Sequence, residues 1–179
     1  NKALSKYVKK VAFQEPPYTT SIDLVNHIKE VTPDSLNYLI KDMFETITLY
    51  QNRVVETKSE KLDNGKYKVD IEFKVSKYRN NEKGRAFYGE EERDSITYQS
   101  DDMKKPEYSV FLKDYIDIGI FGEDNDEKEI ELYLKKHKIS KIHNKISIIV
   151  DQEPIEVGID PYNKLIDTNS EDNRMKIEK

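Results

Sequence analysis

Along the first 45 residues apolar side chains recur every three to four positions, the period of a helix with one buried face. Over residues 3–13, Leu4, Tyr7, Val8, Val11 and Ala12 share one side of a short amphipathic helix, and Lys6, Lys9 and Lys10 occupy the other. The run Glu15-Pro16-Pro17-Tyr18 stops it, because two prolines remove backbone donors and restrict the residues before them. A second helix starts behind a cap at Thr20 or Ser21, places Asp23 in its first turn and carries Ile22, Val25 and Ile28 to about Val31. Thr32-Pro33-Asp34 repeats that signal and opens a third helix with the stripe Leu36, Leu39, Ile40, Met43 and Phe44.

From Thr46 the period falls to two. The runs 46–50 and 53–57 are of β type, and Asp63-Asn64-Gly65 is a hairpin turn into the alternation Tyr67, Val69, Ile71, Phe73 and Val75. Residues 79–107 are charged and turn-rich, with short strands at most around 86–88 and 96–98. Further strands are predicted over 115–121, 130–134, 145–150 and 155–157, and residues 160–167 close the folded part. The predicted fold is mainly β (α+β overall): a helical segment over 1–45, an antiparallel immunoglobulin-like β-sandwich of about seven strands over 46–167, and a polar tail over 168–179.

Composition narrows the chemistry. Charged residues make up 36% of the 179, so the core is lean, yet Leu, Ile, Val and Phe form about a quarter of the chain, enough to escape disorder. The net charge of −5 is the wrong sign for a nucleic-acid binder. No apolar run is long enough to span a bilayer, so no direct membrane insertion is expected. The chain has no cysteine, which removes disulfides, thiolate metal sites and cysteine nucleophiles together. It begins with Asn1 and has no leader pattern, and is expected to be a piece of a longer protein.

Each candidate site weakens on inspection. His27, His137 and His143 lack the spacing that would gather three or four zinc ligands. Glu123-Asp124-Asn125-Asp126-Glu127 resembles a calcium loop in composition but lacks the glycine and distal glutamate of an EF-hand. Glu90-Glu91-Glu92 and Asp101-Asp102 are consecutive acids in a polar loop, where no carboxyl is tuned for glycosidase chemistry. Twelve tyrosines and no tryptophan leave a glycan-binding surface open, although Tyr67, Tyr115 and Tyr133 fit strand packing. The basic runs Lys6/Lys9/Lys10 and Lys135-Lys136-His137-Lys138 read as solvated faces. No nucleophile elbow or phosphate loop is present.

Several strings together are more specific than any of these. They are Glu15-Pro-Pro-Tyr-Thr-Thr-Ser-Ile-Asp-Leu, Thr32-Pro-Asp-Ser-Leu, Leu39-Ile-Lys-Asp-Met-Phe-Glu-Thr-Ile-Thr-Leu-Tyr, and Val157-Gly-Ile-Asp-Pro-Tyr-Asn-Lys-Leu-Ile-Asp with Asp172-Asn173. From about Ala3 to Asn173 the chain resembles the C-terminal end of bacterial proteins in which an ABC-type transporter permease is fused to an aminopeptidase N-like zinc metallopeptidase domain. The resemblance implies that zinc and catalytic residues lie upstream, so no catalytic, cofactor or metal residue is assigned in this chain. It implies an accessory role for the 179 residues, with the peptidase-like and transmembrane domains of the same polypeptide as partners, and peptide or protein ligands beyond them. It also implies membrane association through the parent, on the non-cytoplasmic (periplasmic) side. Leu4, Val8, Val11, Phe13 and Tyr18 are the candidate contacts with the missing domain. The alternative is a free-standing β-sandwich that binds glycan or protein.

Overall fold

A computed structural model of the chain describes residues 1–12, 14–80, 86–88, 91–92 and 112–178. The chain divides into two compact units, Asn1–Thr48 and Leu49–Lys179.

The first unit is helical. Helix α1 (Lys2–Val11) packs on α2 (Ser21–Val31). Lys6 reaches Glu30 at 3.2 Å, Lys10 reaches Asp23 at 3.1 Å, and the Tyr7 ring meets His27 edge-on. Thr20 caps α2 as its sequence predicts: its N–H and hydroxyl both donate to the Asp23 carboxylate, the return half of a capping box. These bonds, the backbone one foremost, draw the Asp23 carboxyl down to about 2. The predicted third helix is not one regular helix. It is a 3-10 turn (Asp34–Leu36), a single α turn α3 (Asn37–Ile40) and a π turn (Lys41–Glu45). The wide last turn frees the Lys41 carbonyl, and the Thr46 hydroxyl takes it up at 3.0 Å.

The second unit is a sandwich of two antiparallel sheets. One holds β1 (Ile47–Lys61), β2 (Tyr67–Asn80) and β7 (His143–Val150), with the short pair β3 (Ala86–Tyr88) and β4 (Glu91–Glu92) continuing from the far end of β2. The other has the order β6 (Glu129–Ile139), β5 (Asp114–Glu123), β8 (Glu156–Ile159), β9 (Arg174–Lys176). The β1–β2 turn is the one its sequence predicts: Gly65 takes φ +81° and donates to the Leu62 carbonyl. A left-handed residue at that position costs glycine nothing.

Two further expectations are corrected. The runs 46–50 and 53–57 are one strand, Ile47–Lys61, buried at the even positions from Thr48 to Val54. The predicted polar tail is not a tail: residues 170–173 form a 3-10 turn and Arg174–Lys176 pair with β8. Its signal is short, yet Asn173 is buried and Met175 and Ile177 pack on the core. The predicted strand at 96–98 lies outside the described residues.

Inward positions of both sheets meet in one core: Val69, Ile71, Phe73 and Val75 of β2 face Ile116, Ile118 and Ile120 of β5, with Val157 and Ile159 of β8 beside them. Strand β5 is buried on its other face as well, because the segment after β8 folds back across it.

Candidate functional site

That segment, residues 158–168, contains the most specific string in the sequence, and it acts as a strap from one sheet to the other. It begins at a notch. Gly119 and Gly158 lie opposite each other on β5 and β8, and Pro161 sits over them. A Cβ on Gly158 would come within 2.9 Å of the Pro161 Cβ, and one on Gly119 within 2.8 Å of the Phe121 ring. Only glycine fits at such separations.

The chain then turns tightly. Asp160 and Asn163 take φ +45° and +50°, and the Asn163 N–H donates to the Asp160 carbonyl. Asp and Asn are the side chains that best tolerate this region. The buried Asp160 carboxylate holds the turn by accepting from the Lys164 and Leu165 N–H groups at 3.1 and 2.8 Å. Burial nonetheless pushes its pKa up. The Tyr162 ring stands edge-on to Phe121 at 6.2 Å, and the Arg174 guanidinium covers the same ring at 4.2 Å. Tyr162 donates its hydroxyl to Glu131, which pushes the phenol up to about 12. Beneath, Asp117 accepts from Lys164 at 2.7 Å and Lys136 at 3.2 Å. Burial alone would raise this carboxyl, and the two lysines outweigh it and hold the group below its ordinary value.

The strap ends on the edge of β1. The Tyr50 N–H donates to the Ile166 carbonyl, and the Thr168 N–H donates to the Tyr50 carbonyl. Asp167 accepts from the backbone and the side chain of Asn52 at 2.9 and 2.8 Å, and from the Asn169 N–H at 3.0 Å. Close by, a polar cluster crosses the sandwich interior. Lys77 of β2, with no exposed surface, donates to both oxygens of Asp114 at 3.0 Å, and the Tyr50 hydroxyl donates to the same carboxylate. Burial of an ion pair is tolerated where geometry and added hydrogen bonds satisfy both partners. Periodicity could not reveal these residues, since Lys77, Asp114 and Asn52 count as outward by polarity. The one available signal is that Asn52 and Lys77 fall in phase with the apolar inward positions of their strands.

The candidates named from sequence are not brought together. Leu4, Val8 and Tyr18 are 56%, 51% and 68% exposed, Val11 is half-buried, and Phe13 lies outside the described residues. His27 faces Glu30 at 3.6 Å, His137 meets the Tyr133 hydroxyl at 2.7 Å, and His143 lies exposed at the start of β7. In the acidic turn 123–127, Asp124 turns its carboxylate to the N–H groups of Asp126 and Lys128. The acids 101–102 lie outside the described residues, as do the side chains of 90–92. Among the described residues no three His, Cys, Asp or Glu gather to hold a metal, and no helix is long and apolar enough to cross a membrane. A groove of about 730 Å³ along β1 and β9 is lined by Glu56, Lys58, Glu60 and Met175, with no aromatic platform among its lining residues. Compared with known proteins, the chain matches no family model and no curated protein.

Proposed function

We propose that the chain is a non-catalytic C-terminal accessory module of a membrane-anchored ABC permease–aminopeptidase-like protein, in which the helical unit packs on an upstream peptidase-like domain and the sandwich braces it. The observation that carries this reading is the apolar surface of the helical unit. Leu4, Val8, Tyr18 and Ile22 are each more than half exposed, while Ala3 and Ile40 are its buried apolar residues. Side chains of this size left in water on one small unit mark a contact surface. The resemblance of the strings 15–24, 32–50 and 157–167 supplies the partner. Zinc belongs to the upstream domain in this reading, and the module lies on the periplasmic side.

The test uses the longer polypeptide. The soluble part is assayed for zinc and for hydrolysis of aminoacyl amides, whole and truncated before Thr46, beside the 179-residue chain alone. Activity in the whole that weakens on truncation and is absent from the chain alone supports bracing. Leu4→Lys with Val8→Lys should lower the unfolding midpoint of the long protein and leave that of the 179-residue chain unchanged. Equal midpoints in the long protein would remove the interface.

A further inference from the structure

A strand at the edge of a sheet presents unpaired N–H and C=O groups, and native proteins cover, shorten or charge such edges. Most edges of this sandwich are treated so. The strap pairs with β1 at Tyr50, and β4 and β9 are two and three residues long. Strand β6 carries Lys135, Lys136 and Lys138 and a shift of register opposite Ile120 and Phe121. Strand β7 has none of these devices, and among the described residues it pairs with β2 alone. The Ile142 carbonyl accepts from the Val75 N–H of β2, and backbone groups alternate in direction along an antiparallel strand. Residues 144, 146, 148 and 150 therefore turn their N–H and C=O groups to β2, and residues 143, 145, 147 and 149 turn theirs to the open side.

We infer that the free edge of β7 is a pairing surface for a second copy of this chain, added antiparallel about a twofold axis at Ile148. The run Ile146-Ser147-Ile148-Ile149-Val150 has no charge and no proline, and Ile149 is 58% exposed, a composition that favours strand pairing. Lys145 already donates to Glu72, and Ser147 to Asp70, so both side chains are drawn back over their own sheet. With the axis at Ile148, Ile146 faces Val150 of the second copy and Ser147 faces its Ile149. Lys145 then comes opposite Asp151, whose side chain is 80% exposed beside Lys66. An axis at Ser147 would set Lys145 against Ile149 and Asn144 against Val150, so charge and apolarity together select Ile148. One patch serves both copies, and such an interface closes at two.

The test takes the 179-residue chain through sedimentation from about 1 µM to 1 mM. A monomer–dimer equilibrium is expected, with a Kd of about 10–100 µM for so short an interface. Amide exchange reads the edge directly. From dilute to concentrated solution, the Ser147 and Ile149 N–H groups should slow at least about fivefold, and those of Ile146 and Ile148, already bonded to β2, should change less. Ile149→Lys should raise Kd at least about tenfold, with the unfolding midpoint of the dilute chain unchanged. Asp151→Lys should weaken the dimer by setting lysine against Lys145, and Lys145→Asp added to it should recover the dimer. A monomer at every concentration, species that grow beyond two, or a folded Ile149→Lys that dimerises like the parent overturns the pairing. A double substitution no better than Asp151→Lys alone overturns the axis at Ile148.

Discussion

The Lys77 ammonium has no exposure and faces Asp114 and the Tyr50 hydroxyl inside the sandwich. Removing one member of such a cluster leaves a buried charge uncompensated, which costs more than the pair contributes when intact. Lys77→Met should therefore destabilise the chain by about 3–5 kcal/mol in urea unfolding, and Asp114→Leu added to it should restore part of the loss. If the single and double substitutions cost the same, the charge of Asp114 is not what Lys77 compensates. These residues also mark the limit of legibility at this scale. Thr20, Gly65 and Asp160 act by local backbone chemistry, and their roles can be read within five residues of each. Lys77, Asn52 and Asp114 are explained by partners up to 115 residues away, which no local pattern contains.

Among the elements, those with strong periodicity or turn chemistry were legible: α2 with its cap, the hairpin at Gly65, and β2 with its alternation. Strand β9 was not, because three residues carry no period and its burial comes from β8 and the Phe121 ring. The strap string was visible as a motif, but its office was not, since the notch depends on two glycines aligned by a ladder. The strap also gives the sheet a sensitivity to pH. The Asp117 carboxyl in the folded chain lies below its ordinary value of 3.8, so the folded chain binds fewer protons there than the unfolded one. The stability this contributes is full above that value and is lost as the pH falls through the lowered one. Lys164→Gln removes one of the two counter-charges and lets burial draw the carboxyl up. The parent should exceed the variant in urea midpoint at neutral pH, and the gap should close as the pH falls below the carboxylate range. A gap independent of pH would show that Lys164 acts by packing alone.

For the molecule as a whole, mainly β class and two-sheet architecture follow from the change of period at Thr46 together with the lean apolar content. The polar interior and the strap anchorage do not follow from either. The strap joins sequence positions that meet late. Asp167 binds Asn52 across 115 residues, and neither end has a seat until β1, β5 and β8 are in place. Contacts of such separation are closed only after their loop entropy has been met. Gly158→Ala, which sets a Cβ 2.9 Å from that of Pro161, should cost about 1–3 kcal/mol. Most of that loss should appear as faster unfolding, with refolding little changed, in stopped-flow kinetics. Slower refolding with unaltered unfolding would place the strap in the folding nucleus instead. Should unfolding alone quicken, the lifetime of the native sandwich is set by how seldom this buckle opens.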